Sequence, residues 1–530
     1  MNEDRLLRKH MGVWSLTAAS LGGVIGSGWL FGSMYAAQAA GPASIVTWII
    51  GGVALALVAL VFCELAMVKP ESGSLVRYPM YSNGSFVASM VGWGIWLGYA
   101  ANPPTEASGI VQYLSKFFPG VYNGTHLTGV GILIAIALML VFVLINYFGI
   151  HIFAKVNLLV TILKFIVPTF TLIALLASGF HASNFHEYGG FAPYGWSPAL
   201  GAIATAGIVF AYTGFRAAVD LAGEAKNPTR DVPKAVMIAI LIAMLLYVGL
   251  EIAFVGSVPK IDLAHGWNGV NLSSPFADLA MSLNLTWLYW MIIADAMISP
   301  AGSSFVYTAS NSRIVFGLAK NRFFPSYFAK VNPRFGIPTR ALILNFVIGL
   351  LYLIPLKSWH NIIEITGALA IYTYSAGAVS VIVFRRAGLT SSQQTIRGMR
   401  WIAPLAFVVG SLIVYWAGWS TLRSTISLLL LGFVVYLISY FATKQSIEQL
   451  RGGLWIVVYL VIIFVISRFG SFGGTKVIPG PWDSILVAIV SLVIFYWAVA
   501  SGTTYMKEVG MVERLRQEQV EFEGEAASNV

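Results

Sequence analysis

The sequence is poor in charged residues and almost without cysteine. Charged side chains make up 10% of the 530 residues, whereas hydrophobic residues make up 58%. A soluble globular protein carries roughly a quarter charged residues, and surface grows with volume, so a soluble core could not absorb this apolar excess. The single cysteine, Cys63, excludes an intrachain disulfide. The composition therefore predicts a chain that lies in lipid.

Motifs for nucleotide hydrolysis and for metal binding are also missing. The chain has no Gly-x-x-x-x-Gly-Lys-Ser/Thr loop and no His-Glu-x-x-His motif, and its seven histidines are scattered. We therefore predict no catalytic residue, no metal site and no enzyme. The net charge of +10 comes from short basic loops between apolar runs, which favours a membrane topology over a nucleic-acid partner.

Long apolar runs fill most of the chain. A helix needs about 20 apolar residues to cross the hydrocarbon core of a bilayer, and fourteen stretches qualify as candidates. They predict an all-α polytopic membrane protein. The candidate spans are 13–40, 44–68, 86–115, 127–148, 153–178, 198–222, 233–257, 285–318, 338–356, 360–384, 401–418, 422–443, 453–470 and 481–501.

Basic residues fix the predicted orientation. With the amino terminus inside, 24 of the 32 Lys and Arg residues fall on the inner side, six fall outside and two lie within spans. This bias obeys the positive-inside rule. The first apolar run has no small-residue cleavage site, which indicates a retained span and not a signal peptide. We expect a multi-pass protein of the cell (plasma or inner) membrane, with residues 1–12 and the tail 502–530 both cytoplasmic.

The first span contains too many glycines for a plain helix. Five occur in the eleven residues from Gly22 to Gly32, and each weakens a helix by about 1 kcal/mol relative to Ala. Close packing against another helix is one explanation. The other is an unwound segment at Gly26-Ser27-Gly28 that offers backbone groups to a ligand, which is tolerated only where it lines a protein cavity.

The sixth span repeats this feature at an equivalent position. Its midpoint reads Phe210-Ala211-Tyr212-Thr213-Gly214-Phe215-Arg216. Interrupted helices at corresponding points of two five-span halves are typical of inverted-repeat transporters, in which the broken helices hold the substrate. We therefore predict a substrate site from two stretches, and its members are Val24, Ile25, Gly26, Ser27, Gly28, Phe210, Ala211, Tyr212, Thr213, Gly214 and Arg216.

Four ionisable residues lie at membrane depth, where a charge is costly and indicates function. Lys164 is central in the fifth span, and a desolvated lysine can act as a proton carrier. Its alternative role is to neutralise a buried carboxylate. Glu106 and Asp295 can each relay a proton or form an ion pair. Arg216 can bind a substrate side-chain carboxylate through its planar guanidinium, or form an internal salt bridge with Asp220, Glu106 or Asp295.

Several motifs together resemble one family. The stretch 23–28, the stretch 210–235 and the stretch 312–338 resemble the first span, the sixth span with its loop, and the loop after span eight of the amino acid–polyamine–organocation (APC) family. The resemblance extends over most of the chain and looks closest to the bacterial aspartate–proton symporters of that family. The segments that carry the closer match are 77–82, 112–114 with 118–120, 295–300 and 415–419, and the terminal pair of spans carries it as well.

This resemblance implies a LeuT-type fold that works by alternating access. The transport core would span 13–384, with inverted five-helix repeats at 13–178 and 198–384, and 401–501 would add four further helices.

The resemblance also implies roles for individual residues. Backbone groups of Ser27 and Gly28 would hold the substrate carboxylate, and carbonyls near Val24, Phe210 and Thr213 would hold its amino group. Lys164 falls where proton-coupled members carry a lysine in place of a sodium ion. Arg216 departs from the family pattern, because many members have an acidic residue there. This departure puts a family proton role at that position in doubt and favours an anionic substrate.

The predicted function is a proton-coupled symporter of amino acids, preferring acidic ones such as L-aspartate or L-glutamate. The proton is the expected coupling ion and no cofactor is expected; for sodium coupling, Ser303 and Ser304 would be the candidate ligands. The first alternative is a neutral or broad-range permease or exchanger in which Arg216 is structural. The second is a receptor or channel without turnover. The expected partners are a small amino-acid substrate and the lipid bilayer.

Overall fold

Helices form the body of the structure. The computed structural model describes residues 11–70, 74–148, 150–332, 337–391, 394–443 and 448–517, and in these ranges extended pairing is limited to isolated bridges. The helices of the first half are α1 (Val13–Val24), α2 (Gly28–Ala40), α3 (Ser44–Val68), α4 (Ser74–Asn83), α5 (Ser85–Ala100), α6 (Asn102–Leu114), α7 (Gly129–Phe148), α8 (Ile150–Ser178), α9 (Trp196–Thr205), α10 (Ile208–Tyr212), α11 (Arg216–Asp220) and α12 (Pro228–Ser257).

The remaining helices continue the bundle to the end of the described chain. They are α13 (Pro275–Ser282), α14 (Thr286–Lys320), α15 (Thr339–Leu356), α16 (Trp359–Arg386), α17 (Met399–Trp416), α18 (Gly418–Thr443), α19 (Glu448–Arg451), α20 (Leu454–Phe469) and α21 (Trp482–Glu508).

The predicted class, an all-α polytopic membrane protein, is confirmed. In the described residues ten helical segments are long and apolar enough to cross a membrane, or eleven if the bent pair at α9 counts as one span. The predicted count of fourteen is not established. One reason is that some candidate spans consist of short pieces: α1 has only 12 residues, and the third candidate is divided into α5 and α6 at Ala101.

Peripheral helices expose apolar side chains, as lipid-facing helices do. Leu133 on α7, Ile438 on α18 and Val493 on α21 are each about two-thirds exposed. Helix α16 is instead buried over most of its length and packs against α3, α5, α17 and α21. It forms the centre of the bundle. Helices α17 and α21 contact α16 directly, so the later helices pack on the core. The division of the chain into a transport core ending at residue 384 and four added helices stays a prediction.

The first span is broken where the sequence predicts. Helix α1 ends at Val24, Ile25 is extended with φ −90° and ψ 100°, and α2 begins at Gly28. Unwound backbone at membrane depth is tolerated where protein surrounds it, and residues 24–28 are all buried. The break therefore lies inside the bundle.

The sixth span bends earlier than the predicted irregular stretch. Helix α9 ends at Thr205, Gly207 takes a left-handed conformation with φ +86°, and the chain turns by 51°. A 3-10 turn at Thr213–Phe215 then follows within the predicted stretch. Glycine favours the left-handed conformation, and a Cβ at Gly207 would lie only 2.8 Å from the Trp359 ring. The main interruption is thus set by Gly207.

The two broken spans pack against each other. A Cβ on Gly28 would lie 3.4 Å from that of Ala211, and a Cβ on Gly23 would lie 3.4 Å from the Gly214 Cα. Both distances are ordinary van der Waals contacts, whereas a Cβ on Gly214 would lie only 2.4 Å from the Val24 backbone nitrogen, so the close approach of the two backbones requires glycine at position 214. The structure brings the two predicted stretches into direct contact.

Candidate functional site

The break in the first span holds a carboxylate of the protein itself. The Ser27 backbone N–H donates to Glu106 Oε2 at 2.8 Å, and Asn102 Nδ2 donates to Glu106 Oε1 at 3.4 Å. A Cβ on Gly26 would overlap Glu106 Oε1 and would lie 3.1 Å from Ser303 Oγ. The glycine thus makes room for the Glu106 side chain. The amide expected to bind a substrate carboxylate is occupied by Glu106 in this conformation.

Lys164 joins the other end of the same break. Its Nζ donates to the Gly22 carbonyl at 3.1 Å, near the carboxyl end of α1. The side chain is only 2% exposed and interacts electrostatically with Glu106 and Asp295. A cation is favourable at the carboxyl end of a helix, where free carbonyls carry partial negative charge. Lys164 therefore links α8 to the broken helix and to two buried acids.

Asp295 is fixed on the far side of this cluster. Its carboxylate accepts hydrogen bonds from Trp29 Nε1 at 3.1 Å and from Ser299 Oγ at 2.7 Å. Asp295 is buried on α14. The structure brings Lys164, Glu106 and Asp295, the three residues predicted for proton coupling, into one buried cluster around α1 and α2.

The carbonyls expected to hold an ammonium group accept side-chain hydrogen bonds. Tyr247 donates to the Val24 carbonyl at 3.0 Å. Thr213 Oγ1 donates to the Phe210 carbonyl at 2.8 Å, and Arg216 Nε donates to the Thr213 carbonyl at 3.3 Å. A carbonyl oxygen has two lone pairs, so each can accept a further donor. Their use by a substrate stays a prediction.

Arg216 is buried among aromatic rings. Its guanidinium lies 4.6 Å from the Tyr99 ring centroid and 5.7 Å from that of Tyr374. In the part of the chain that the structure describes, it forms no ion pair within 4.0 Å. The acid that interacts with it electrostatically is Asp220, whose carboxylate accepts a hydrogen bond from Tyr99 Oη at 3.5 Å. The guanidinium therefore retains donors for another anion.

A cavity adjoins Arg216. It is narrow in this conformation, with room for about one water molecule. Its polar and aromatic lining combines the sixth span with α14 and α16, and consists of Phe210, Thr213, Arg216, Tyr307, Thr366 and Thr373. A concave site with a few convergent polar groups is the usual form of a small-molecule site.

The predicted site residues thus divide into three groups. Phe210, Thr213 and Arg216 line the cavity, whereas residues 24–28 face Glu106 and the sixth span. The others serve packing in this conformation. Ala211 and Gly214 contact the first span, and Tyr212 donates to the Trp48 carbonyl at 3.3 Å.

Sequence reasoning missed several residues of the site. Trp359 Nε1 donates to Ser27 Oγ at 2.6 Å and so anchors the break from α16. Tyr247 bonds the end of α1 from α12. Both are far from the break in sequence and carry no local signal. Thr366 and Thr373 are spaced by two helical turns on α16, and such a polar pair on a buried helix could have been noticed.

Residues 11–442 match the family model described as amino acid permease. The chain belongs to the amino acid permease family. This permease is 41% identical to the glutamate/serine transporter AimA of Bacillus subtilis, over 95% of this chain and 96% of the relative. It is 34% identical to the aspartate-proton symporter of the same organism, over 95% of this chain and 98% of the relative.

A solved structure supports the fold. The permease aligns with a mutant of the manganese transporter from Eremococcus coleocola at a TM-score of 0.55 and 13% identity, covering 94% of this chain and 98% of the other. At this identity the likeness concerns the fold alone. Together with the two interrupted spans, it confirms the predicted LeuT-type architecture. The permease is thus a multi-pass membrane transporter of amino acids, and not an enzyme, as the sequence predicts.

Proposed function

We propose that this permease is a proton-coupled symporter that prefers acidic amino acids and works by alternating access. One observation carries the proposal: the Ser27 N–H in the broken first span is held by Glu106, beside the buried Lys164. The group expected to receive the substrate carboxylate is therefore under the control of a group that can take up a proton.

Protonation of Glu106 changes how firmly it holds this amide. A hydrogen bond to an ionised carboxylate is roughly twice as strong as one between neutral groups. The amino end of α2, which begins at Gly28, also favours an anion. When Glu106 becomes neutral, the Ser27 N–H and the helix end can pass to the α-carboxylate of the substrate. Proton uptake and substrate binding then support each other.

Lys164 balances the charge of this exchange. Its ammonium holds the Gly22 carbonyl and interacts with both Glu106 and Asp295. Neutralising Glu106 leaves Lys164 with Asp295 and the incoming substrate carboxylate as its anionic partners. A lysine in such a buried setting can also release its proton. The cluster joins α1, α6, α8 and α14, so a change in its charge can shift their packing.

Arg216 supports the preference for an acidic substrate. It lines the cavity, forms no ion pair within 4.0 Å among the described residues, and presents a fork suited to a carboxylate. Two relatives are named for glutamate and for aspartate. We propose that Arg216 binds the side-chain carboxylate of the substrate while the broken first span binds its α-carboxylate.

The experiment uses purified permease in liposomes with labelled glutamate, aspartate and serine. We expect acidic external medium to drive accumulation of the two acidic amino acids and a sodium gradient to have no effect. Uptake that follows sodium and ignores the proton gradient would refute proton coupling. It would direct attention to Ser303 and Ser304 as sodium ligands.

The Arg216→Ala variant tests the substrate class in the same liposomes. We expect glutamate and aspartate uptake to fall at least tenfold, since a hydrogen-bonded charge pair contributes about 1.5–3 kcal/mol, and serine uptake to persist. Serine is the internal control for folding.

A neutral or broad-range permease or exchanger is the second candidate. The relative named for both glutamate and serine, and the packing of Arg216 on Tyr99, favour it. Equal loss of all three substrates in Arg216→Ala would support a structural arginine. Saturable counterflow of labelled substrate separates either transporter from a channel or receptor.

The proposed location is the cell membrane with both termini cytoplasmic. It is supported by the excess of Lys and Arg in the loops assigned to the inner side. A reporter enzyme that is active only in the cytoplasm, fused after Val530, should be active. An inactive but expressed fusion would reverse the topology.

A further inference from the structure

A second pocket lies between α5–α6, α7, α14 and α15, away from the Arg216 cavity. Three polar side chains, Thr308, Asn311 and Asn345, line it together with apolar residues such as Met139 and Pro103. All three polar residues are at least nine-tenths buried. No ionisable side chain occurs in the described wall of this pocket.

The polar atoms of this pocket lack protein partners. Among the described residues, Thr308 Oγ1, both amide atoms of Asn311 and Asn345 Nδ2 are buried without a hydrogen-bond partner. A buried polar group left unpaired destabilises the fold, because it has lost its bonds to water, and native proteins contain few such groups. Four such atoms in one pocket therefore indicate a ligand with donors and acceptors of its own.

Further buried polar atoms without partners lie on residues near Glu106. Ser304 Oγ, one helical turn before Thr308, and Asn102 Oδ1 are also buried without partners in the described chain. Residues 304, 308 and 311 share one face of α14, which packs along α6. Asn102 adjoins Pro103 of the pocket wall, and its amide donates to Glu106. Unpaired polar atoms thus occur both in the pocket wall and on residues beside Glu106.

Aromatic rings adjoin the pocket on the side towards the end of α14. Trp96 Nε1 donates to Asn345 Oδ1 at 2.8 Å, and the Trp96 ring lies 4.9 Å from that of Phe324. Phe324 lies just after the end of α14. Along α14, the pocket residues Thr308 and Asn311 therefore lie between Ser303, which faces Glu106, and the end of the helix at Lys320.

We propose that this pocket is a hydration site that exchanges the proton of Glu106 with the end of the bundle where α14 terminates. Water supplies both donors and acceptors, and it occupies buried sites that offer two to four polar partners. It fits this wall better than an ion, because the described wall carries no charged side chain to balance one, and its unpaired atoms include both donors and acceptors. The inference rests on the proposed role of Glu106 in proton coupling.

Several elements place polar or charged groups around Glu106, and these groups limit the directions from which a proton can reach it. Lys164 faces it from α8, Ser27 from the break, Ser303 from α14 and Tyr247 from α12. Asp295 lies beyond Lys164. Asn102 is a further neighbour of Glu106, and it adjoins Pro103 of the pocket wall. Proton exchange through the pocket would therefore run past the Asn102 amide.

Radiolytic footprinting of the unmodified permease tests hydration directly. X-rays split water into hydroxyl radicals that oxidise adjacent side chains, and Met139 in the pocket wall is only 2% exposed. Met90 and Met399 are matched controls, since both are equally buried in the apolar core. We expect Met139 to be oxidised several-fold faster than either control. Equal rates would show a dry pocket and overturn the proposal.

The Asn311→Leu variant tests the route. We expect it to slow acid-driven accumulation several-fold while substrate counterflow, which needs no net proton movement, stays at the wild-type rate. Ser312→Ala is the control, because the Ser312 hydroxyl bonds to its own helix at the Ala309 carbonyl. If accumulation and counterflow fall equally in Asn311→Leu, or if neither falls, the route is wrong. A wild-type permease that shows counterflow but no acid-driven uptake would instead refute proton coupling itself, while the Met139 readout would still report on the pocket.

Discussion

Replacing Glu106 with glutamine should uncouple substrate binding from pH. The Gln amide oxygen can still accept the Ser27 N–H, which Glu106 now accepts at 2.8 Å, but it carries no charge. A hydrogen bond to a charged group contributes about 1.5–3 kcal/mol and a neutral one about 0.5–1.5 kcal/mol. The variant should therefore hold the amide about 1–1.5 kcal/mol more weakly, which corresponds to roughly five- to tenfold tighter substrate binding at alkaline pH.

The sign of the pH effect follows from which form competes with the substrate. In the wild type, the ionised Glu106 present at high pH competes, and the protonated form at low pH does not, so affinity should fall as pH rises. In Glu106→Gln the affinity should be high and independent of pH, because the variant resembles the protonated state.

The assay is a thermal-shift or equilibrium titration with glutamate across pH, since a ligand that binds the native state stabilises it. Glu251→Gln is the matched control. Glu251 is equally buried but is held by Ser44 and by Trp48 Nε1, apart from the break, so its replacement should leave the pH dependence of binding intact. If Glu106→Gln binds glutamate with the same pH dependence as the wild type, the competition between Glu106 and the substrate is refuted.

Three further substitutions test the geometry of the breaks. Lys164→Met should abolish acid-driven accumulation and lower the melting temperature, because it removes the cation that interacts electrostatically with the buried Glu106 and Asp295; adding Glu106→Gln should restore part of the stability, and a purely additive loss would contradict this interaction. Gly26→Ala should lower both melting temperature and transport, whereas Gly317→Ala, whose Cβ meets nothing within 4 Å, should be neutral in the same assays. Gly207→Ala should cost about 1–3 kcal/mol in thermal unfolding, because its φ of +86° is strained for any residue with a Cβ; an unchanged melting temperature would show that the bend has another cause.

The sequence was sufficient for the fold class and for the first break. Apolar runs of spanning length and the cluster of glycines at 22–32 are local signals, so periodicity and composition reveal them. The sequence predicts the irregularity of the sixth span at Phe210 to Arg216, where polar groups provide a local signal. The structure has a 3-10 turn in that stretch, but the main bend lies at Gly207. The decisive residue, Gly207, is marked only by its backbone conformation and by its contact with Trp359.

The arrangement of the candidate site could be predicted only in part. The cost of charge in lipid singles out Lys164, Glu106 and Asp295, and the structure does place them together. No local pattern reveals that Glu106 holds the Ser27 amide, since 79 residues separate them. Such a contact depends on how α6 packs against the break. The hydrophobic periodicity of a helix shows which of its faces is buried, but not which distant helix that face contacts.

Simultaneous measurement of proton and substrate fluxes tests the central claim most directly. Liposomes with a pH-sensitive dye inside and labelled glutamate outside would report both at once, with no imposed gradient other than that of glutamate. The account predicts that inward glutamate movement acidifies the lumen of wild-type liposomes. It also predicts that Glu106→Gln, in liposomes preloaded with unlabelled glutamate, still exchanges glutamate without acidification. Saturable glutamate uptake by the wild type with no change in internal pH would contradict it.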